Sequence, residues 1–251
     1  MTLYLIGIGI YVEPSLTREI EGILRNVDKI YLEGYTSPID PRLLEFLKYN
    51  GEIERLTRSE VEEGMDKLID EAMDMDIAIL VPGDPLIATT HITLVVEARR
   101  RGVDTKIFHS SSALCAAIGE SGLHTYKFGA SATIMRREVA SSKRAYDILI
   151  ENLERGLHTL FFLEYDAETS YIMSPREAIE ILLSYDGEGR ISMDKLVIVL
   201  CGLGSKDECK YAATIKELLG KKDVTRKPCI LIIPGKLHFT EEEYIETILR
   251  R

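Results

Sequence analysis

The apolar run IAILV at residues 77–81 constrains the fold more than any other feature of this sequence. A strand with five successive apolar side chains is typical of a parallel sheet, which helices cover so that its strands are buried on both faces. A similar run, LYLI at residues 3–6, lies near the start of the chain and is followed by Gly7 and Gly9. We therefore predict an α/β fold built around a parallel sheet.

Strand-like and helix-like segments alternate along the whole chain, which is typical of α/β lobes. Residues 1–109 are predicted to form an N-terminal lobe with a mainly parallel sheet. In residues 110–251 the spacing changes, and we predict a C-terminal lobe with a mixed sheet; the small polar residues at 110–113 mark the junction. The predicted strands are residues 3–9, 28–33, 77–81, 105–109, 131–135, 159–164, 195–201 and 229–233. The predicted helices are residues 15–25, 41–49, 60–73, 89–101, 144–155, 175–184, 208–219 and 241–249.

The charge balance argues against nucleic acid as a direct partner. The chain has 31 Lys and Arg residues against 41 Asp and Glu residues, a formal net charge of −10. A negatively charged surface repels phosphate backbones. The basic stretch at residues 136–144 is an exception, and it is either a solvated surface loop or a contact for an acidic or RNA-associated partner.

The sequence indicates neither export nor contact with a membrane. Its first residues lack the basic and long apolar segments of a signal peptide, and no apolar run approaches the ~20 residues of a membrane span. The four cysteines, Cys115, Cys201, Cys209 and Cys229, form no C-x-x-C pair. We expect them to be small buried residues in a reducing cytosol, without a zinc site, so the sequence predicts a cytoplasmic protein.

Two glycine turns follow predicted strands, at positions where open α/β sheets bind ligands. Gly7 and Gly9 follow the first strand, but Val12 stands where a dinucleotide site needs a third glycine, which disfavours nicotinamide cofactors. This turn is either a place where the backbone approaches another cofactor or an ordinary tight turn. The turn PGDP at residues 82–85 follows the strongest strand. Asp84 either serves a cationic cofactor or accepts hydrogen bonds from its own turn.

Three further positions are candidates for ligand contacts or for structural roles. The serines at residues 110–112 precede a predicted helix, whose first amides attract carboxylates, although serine there is also an ordinary N-cap. We expect His91 to cap or pack, and His238 to be either structural or a ligand contact. The sequence has no phosphate loop, no H-E-x-x-H pair and no G-x-S-x-G elbow. We therefore expect a cofactor to supply the reactivity.

Taken together, six stretches resemble the archaeal type of the diphthine synthase family, within the tetrapyrrole methylase superfamily. The G-D-P turn is shared by the whole superfamily, whereas TTH at residues 89–91 and PGKLH at residues 234–238 point to this family. The stretches, in order, are LYLIGIGI at 3–10, EGYTS at 33–37, PGDPLIATTH at 82–91, GLHTYKFG at 122–129, ERGLHTL at 154–160 and PGKLH at 234–238.

The resemblance implies a homodimer of two-lobed subunits of the tetrapyrrole methylase type, with S-adenosylmethionine in the cleft between the lobes. It implies methylation, and by expectation trimethylation, of the amino group of the 3-amino-3-carboxypropyl histidine on translation elongation factor 2, a step of diphthamide biosynthesis. It assigns no catalytic residue and no metal. By position, the cofactor contacts of the family fall on Ile10, Asp84, Ile87, Ser112, Ala113, Leu163, Leu203 and His238.

The chemistry that the resemblance implies needs no strong general base. An α-amino group has a pKa near ~8, and a neighbouring sulfonium lowers it further. Alignment of nitrogen, methyl and sulfur is expected to supply most of the acceleration.

Two alternative functions stay open. One is a tetrapyrrole methyltransferase acting on a precorrin or uroporphyrinogen, whose many carboxylates a net charge of −10 does not favour. The other is a cofactor-binding module without catalysis.

Overall fold

The computed structural model describes residues 1–11, 13–39, 43, 47, 53–221 and 227–250. The chain divides into two units, Met1–Leu114 and Cys115–Arg251, and each unit combines helices with a five-stranded sheet. The predicted α/β fold class is confirmed. That residues 1–109 and 110–251 are separate domains stays a prediction.

The sheet of the first unit consists of β1 Thr2–Gly7, β2 Lys29–Glu33, β3 Ile53–Leu56, β4 Ile77–Val81 and β5 Asp104–Phe108. Its order is β3-β2-β4-β1-β5, and all of its strand pairs are parallel. The chain leaves β1 towards β2 and leaves β4 towards β5, so the two connections run towards opposite edges of the sheet. The carboxyl ends of β1 and β4 therefore form the kind of switch point at which open α/β sheets bind ligands.

Helices pack on this sheet through apolar side chains. Ile20 and Leu24 join Tyr4 and Ile6 of β1 in one buried cluster. The helix predicted at residues 41–49 lies outside the described residues, apart from residues 43 and 47. In the described part of the chain, no helix is both long and apolar enough to cross a bilayer. The helices of this unit include Arg18–Leu24, Arg58–Glu62, Met65–Asp74 and Ile92–Arg100.

The second unit has a mixed sheet, as predicted. Its strands are β6 Ala132–Ile134, β7 Thr159–Leu163, β10 Leu196–Cys201, β11 Cys209–Thr214 and β12 Cys229–Ile233, with a separate hairpin of β8 Tyr165–Asp166 and β9 Tyr171–Ile172. The order is β11-β10-β12-β7-β6; β6 and β7 are parallel, and the other pairs are antiparallel. The helices include Lys143–Glu154, Pro175–Ser184, Ile215–Gly220 and Phe239–Tyr244, and the last continues as a π-helix at Ile245–Leu249. The helix Ala113–Glu120 begins in the last two residues of the first unit and continues into the second.

Two helix predictions are corrected by the structure. The helix predicted at residues 208–219 begins at Ile215, because residues 209–214 pair with β10 along their whole length and Thr214 then caps the helix together with Glu217. The helix predicted at residues 60–73 is divided at Gly64, where a new helix begins. Glycine is a poor helix former, so a break at this position is favoured.

The prediction for the cysteines is wrong in two respects. Cys201 and Cys229 form a disulfide, because they lie directly opposite each other on antiparallel β10 and β12, with their Cα atoms 4.0 Å apart. Cys115 and Cys209 are exposed rather than buried. Sequence spacing does not reveal a strand register, which is what brings the first two together. The cysteines therefore give no support to the expectation of a reducing compartment.

Reduction of the disulfide is expected to lower the free energy of unfolding by about 3 kcal/mol. The bridge joins residues separated by 28 positions, and a cross-link over a loop of that size restricts the unfolded chain by roughly this amount. Denaturant titration with and without a dithiol reductant measures the difference. A Cys115→Ser/Cys209→Ser variant keeps the response, and a Cys201→Ser/Cys229→Ser variant loses it. Equal midpoints for the wild-type protein in both conditions contradict the prediction.

Candidate functional site

Two glycines join the loops that follow β1 and β4 in the first unit. The amide of Gly9 donates to the carbonyl oxygen of Gly83 at 3.2 Å, and the amide of Gly83 donates to the carbonyl oxygen of Gly9 at 2.8 Å. Both have positive φ angles, +79° and +78°, a conformation that glycine adopts without steric cost. The reciprocal pair fixes the two loops side by side beyond the end of the sheet.

Gly7 marks the point where the loop after β5 joins the other two. A Cβ atom at Gly7 would lie 2.7 Å from the carbonyl oxygen of Gly83 and 2.9 Å from Pro85 Cδ and from Ser110 Cβ. Only glycine fits there. Gly83 differs, since a Cβ atom there would meet only the carbonyl oxygen of Ser111, at 4.0 Å. The backbone at Gly83 is therefore open to an approaching ligand on that side.

Asp84 joins the β4 loop to the β5 loop through a buried carboxylate. Its Oδ1 accepts from the amide of Leu86 at 3.0 Å, within the turn. Its Oδ2 accepts from the amide of Ser110 at 3.2 Å and contacts His109 Nδ1 at 2.9 Å. Both carboxylate oxygens of Asp84 thus bind groups of the protein itself. Of the two interpretations of Asp84, the geometry favours the one in which the carboxylate satisfies its own loops.

The other predicted contacts of the first unit lie along these loops. The amide of Ile10 is 3.4 Å from Ser111 Oγ, which places Ile10 beside the β5 loop. Ile87 follows Asp84 in the β4 loop and is 39% exposed. Ser112 is buried, and Ala113 begins a helix. The structure thus gathers Ile10, Asp84, Ile87, Ser112 and Ala113 on the three loops that meet at one end of the sheet.

A second buried polar cluster joins the β2 loop to the β4 loop. Glu33 accepts from the amides of Tyr35 at 2.6 Å and Thr36 at 2.7 Å. His91 is fully buried; its Nδ1 lies 2.9 Å from the carbonyl oxygen of Pro85, and its Nε2 lies 3.2 Å from the hydroxyl of Tyr35. A carbonyl only accepts, so Nδ1 carries the proton and Nε2 accepts from Tyr35. His91 therefore packs and fastens loops, and burial raises the pKa of Tyr35.

In the second unit the three predicted contacts do not come together. Leu163 ends β7, and Leu203 lies in the turn after β10. Both are at the end of the sheet where β12 begins, because β12 is antiparallel to β7 and to β10. His238 follows the other end of β12. Within this unit, Leu163 and Leu203 share one end of the sheet and His238 lies at the opposite end.

His238 is exposed and begins the helix Phe239–Tyr244. Its Nδ1 lies 2.9 Å from Thr240 Oγ1, and its ring centroid is 5.1 Å from that of His124. The backbone amide of His238 donates to Glu241 Oε2 at 2.7 Å, which completes a capping box. These contacts give His238 a structural role.

Glu241 was not predicted from the sequence, although it connects three of the stretches that resemble the family. Its side chain is fully buried and accepts from the backbone amide of His124 at 2.7 Å, from His158 Nε2 at 3.1 Å and from the ammonium of Lys127. The backbone amide of His238 also donates to Glu241, so the carboxylate accepts hydrogen bonds from four donors. The carboxylate thus holds the stretches at residues 122–129, 154–160 and 234–238 together.

The surroundings of Glu241 set two protonation states. Burial by itself would raise the pKa of Glu241, but the hydrogen bonds from Lys127, His124, His238 and His158 outweigh it and lower the pKa to about 2. Burial lowers the pKa of His158. His158 Nδ1 accepts from the amide of Gly235 at 3.0 Å, so the neutral imidazole donates to Glu241 through Nε2.

Most cations of the basic stretch are paired with acids of the same unit. Arg136 donates to Glu164 Oε1 from Nε at 3.0 Å and from Nη2 at 2.8 Å. Lys143 pairs with Asp147 and Arg144 with Glu151. These pairs favour the interpretation as a surface loop over a contact for a charged partner. Within the described residues, no group of His, Cys, Asp and Glu side chains has the arrangement of a metal site.

Sequence reasoning missed His109 and Glu241 for different reasons. His109 directly follows β5, at an edge where ligands bind, and that position is a usable signal. Glu241 is three residues after His238, the spacing of a capping box. That spacing predicts a helix start, but the burial of Glu241 depends on residues more than 80 positions away.

Comparison with known proteins identifies relatives over nearly the whole chain. The family of tetrapyrrole (corrin/porphyrin) methylases matches residues 2–219. The chain is 37% identical to the diphthine synthase of Methanococcus maripaludis and 36% identical to that of Methanocaldococcus jannaschii, over 97% of this chain and 97% of each relative. A solved structure described as the crystal structure of diphthine synthase superposes with a TM-score of 0.86 at 29% identity, over 99% of this chain and 96% of that one.

The second unit is expected to lose stability in acid. The pKa of Glu241 is about 2 in the folded protein against 4.5 for a free side chain, so the unfolded state binds more protons below pH ~4.5. The resulting loss, complete near pH 2, is roughly 3 kcal/mol. His158, whose pKa is also lowered, adds a loss in the same direction that begins below pH ~6.5.

Unfolding free energies measured from pH 7 to pH 3 check this expectation. Glu241→Gln is destabilised at pH 7, since Lys127 keeps a charge without its partner, and it depends less on pH below ~4.5. The matched control is Glu242→Gln, at an exposed neighbouring position, which is expected to change stability by less than ~0.5 kcal/mol. An unchanged acid dependence in Glu241→Gln is the contrary result.

Proposed function

The chain belongs to the tetrapyrrole methylase family and, within it, to the diphthine synthases, and from this premise we propose that it methylates the 3-amino-3-carboxypropyl histidine of translation elongation factor 2. The observation that carries the proposal is similarity to diphthine synthases over 97% of the chain. The protein is a methyltransferase of diphthamide biosynthesis. S-adenosylmethionine is the proposed methyl donor, and its sulfonium supplies an activated methyl group.

The loops of the first unit fit such a cofactor in shape and in polarity. The backbone at Gly83 is open, as a close approach by a ligand requires. Ile87 presents an exposed apolar side chain in the same loop, which suits a flat aromatic base. Ser112 and Ala113 lie at the start of the helix Ala113–Glu120, where the helix dipole attracts a carboxylate such as that of a methionyl group.

Asp84 has an indirect part in this proposal. Three donors from the protein already occupy its carboxylate, so we assign it the role of holding the β4 and β5 loops in the shape that the cofactor needs. Ile10 contributes through the β1 loop, which the Gly9–Gly83 pair fixes beside the β4 loop. Contacts from Leu163, Leu203 and His238 to the cofactor stay proposals.

The proposed substrate determines where the protein acts and with which partners. Elongation factor 2 is a translation factor, which places the reaction in the cytoplasm and makes a protein the acceptor. The amino group must be neutral to attack, and repeated attack gives a trimethylated product. The homodimer is proposed from the resemblance alone.

The reaction is tested with purified protein, S-adenosylmethionine and elongation factor 2 that carries the unmethylated modification. We expect mass spectrometry to show methyl groups, up to three, on the modified histidine. Elongation factor 2 with an unmodified histidine is the matched control and gains none. Methylation of uroporphyrinogen instead identifies a tetrapyrrole methyltransferase. Cofactor binding without any methyl transfer identifies a binding module.

Asp84→Ala is expected to weaken cofactor binding roughly 10-fold or more. Losing the carboxylate leaves the amides of Leu86 and Ser110 without an acceptor, so the β4 and β5 loops are no longer held in the shape that the cofactor needs. A loss of ~1.4 kcal/mol in binding free energy corresponds to a factor of ten in affinity. Titration calorimetry with S-adenosylmethionine measures the effect. Asp74→Ala, at an exposed position in the same unit, keeps wild-type affinity. Unchanged affinity in Asp84→Ala refutes the role assigned to this carboxylate.

A further inference from the structure

His109 and Asp84 form a dyad at the end of the parallel sheet. His109 Nδ1 lies 2.9 Å from Asp84 Oδ2; the Asp84 side chain is 5% exposed, whereas that of His109 is 66% exposed. An ionised carboxylate accepts and does not donate, so Nδ1 carries the proton of the neutral ring. The other ring nitrogen, Nε2, then has a lone pair available as a proton acceptor.

The carboxylate of the dyad is itself held in place. Oδ1 accepts from the amide of Leu86, and Oδ2 also accepts from the amide of Ser110, the residue after His109. The two loops thus fix the Asp84 carboxylate in place. The carboxylate in turn fixes the tautomer and the orientation of the His109 imidazole. A buried acid that orients a solvent-facing histidine is the arrangement that enzymes use for a general base.

We propose that His109, oriented by Asp84, accepts the proton that the substrate amine loses before each methyl transfer. This inference rests on the proposed function. An N–H bond of the substrate ammonium breaks, and the proton moves to His109 Nε2. The nitrogen lone pair then forms a bond to the methyl carbon as the carbon–sulfur bond breaks and its electron pair stays on sulfur. The exposed imidazole returns its proton to water.

Repeated transfer makes such a base useful. An α-amino group with a pKa near ~8 is about nine-tenths protonated at pH 7. Every transfer to the neutral amine also gives an ammonium, which must lose a proton before the next transfer. A general base typically increases the reaction rate 10²–10⁴-fold. Because this amine is only weakly basic, we expect an increase at the lower end of that range.

Among the described residues, Asp84 is the ionisable group that contacts His109. Gly7, at the end of β1, and Gly9, in the loop after it, pack against Ser110 and Ser111 and carry no ionisable side chain. β5 is an edge strand, and in the described part of the chain no strand pairs with its other side. Arg99, from the helix that packs on β5, binds Thr105 and Asp104 at the opposite end of the strand.

His109→Gln tests the proposal through its pH profile. In single turnovers with saturating cofactor, we expect the variant to be slower by roughly 10- to 100-fold at pH 7. Its rate should rise with pH towards that of the wild-type protein, because the amine then loses its proton to water. Added imidazole restores part of the rate at pH 7. Calorimetry is expected to show the wild-type affinity for S-adenosylmethionine, and Glu242→Gln, at an exposed position of the second unit, keeps the wild-type profile.

Several results overturn the proposal. A loss of rate that is equal at all pH values indicates a structural role, and weakened cofactor affinity indicates a cofactor contact. A rise in KM confined to low pH indicates that cationic His109 binds the carboxylate of the substrate instead. Nitrogen-15 NMR of the wild-type protein without substrate is an independent test; it should show the neutral ring protonated at Nδ1, and protonation at Nε2 refutes the dyad. A wild-type protein that transfers no methyl group to elongation factor 2 refutes the proposed function itself.

Discussion

The buried carboxylate of Asp84 is the interaction on which the ligand-binding end of the first unit depends. It joins the turn after β4 to the first residues after β5, and the reciprocal Gly9–Gly83 hydrogen bonds add the loop after β1. A carboxylate is suited to this because it accepts several hydrogen bonds at once and its charge strengthens each of them. Hydrogen bonds within the protein therefore hold three loops that are far apart in sequence in one shape, which lowers the ordering cost of binding.

The second unit uses the same device at Glu241. This carboxylate accepts from two backbone amides and two side chains, which come from three separate loops. In both units the short stretches that resemble the family coincide with loops around buried acids: Glu33 and Asp84 in the first unit, and Glu241 in the second. The resemblance thus reflects loop positions that hydrogen bonds fix, in addition to groups that meet a ligand.

The sequence predicted well what depends on neighbouring residues. The apolar runs of β1, β4 and β12 identified buried strands, because a run of consecutive apolar residues indicates burial on both faces even when the neighbouring strands are not known. β11 was predicted as helix, since its strand character comes from pairing with β10. The mixed sheet of the second unit was predicted, but strand directions were not, and because β12 is antiparallel to β7 and β10, His238 lies at the other end of the sheet from Leu163 and Leu203. The disulfide, likewise, depends on register and not on spacing.

The buried carboxylate of Glu241 and its four donors also limit how this protein can evolve. Replacing the acid alone leaves Lys127 and two backbone amides without their acceptor, and replacing Lys127 alone leaves a buried anion with one donor fewer. Each single step is costly, whereas a joint exchange of acid and ammonium for a neutral pair avoids the intermediate penalty. Among descendants of one ancestor, positions 127 and 241 should therefore change together or not at all, and His158 should follow them.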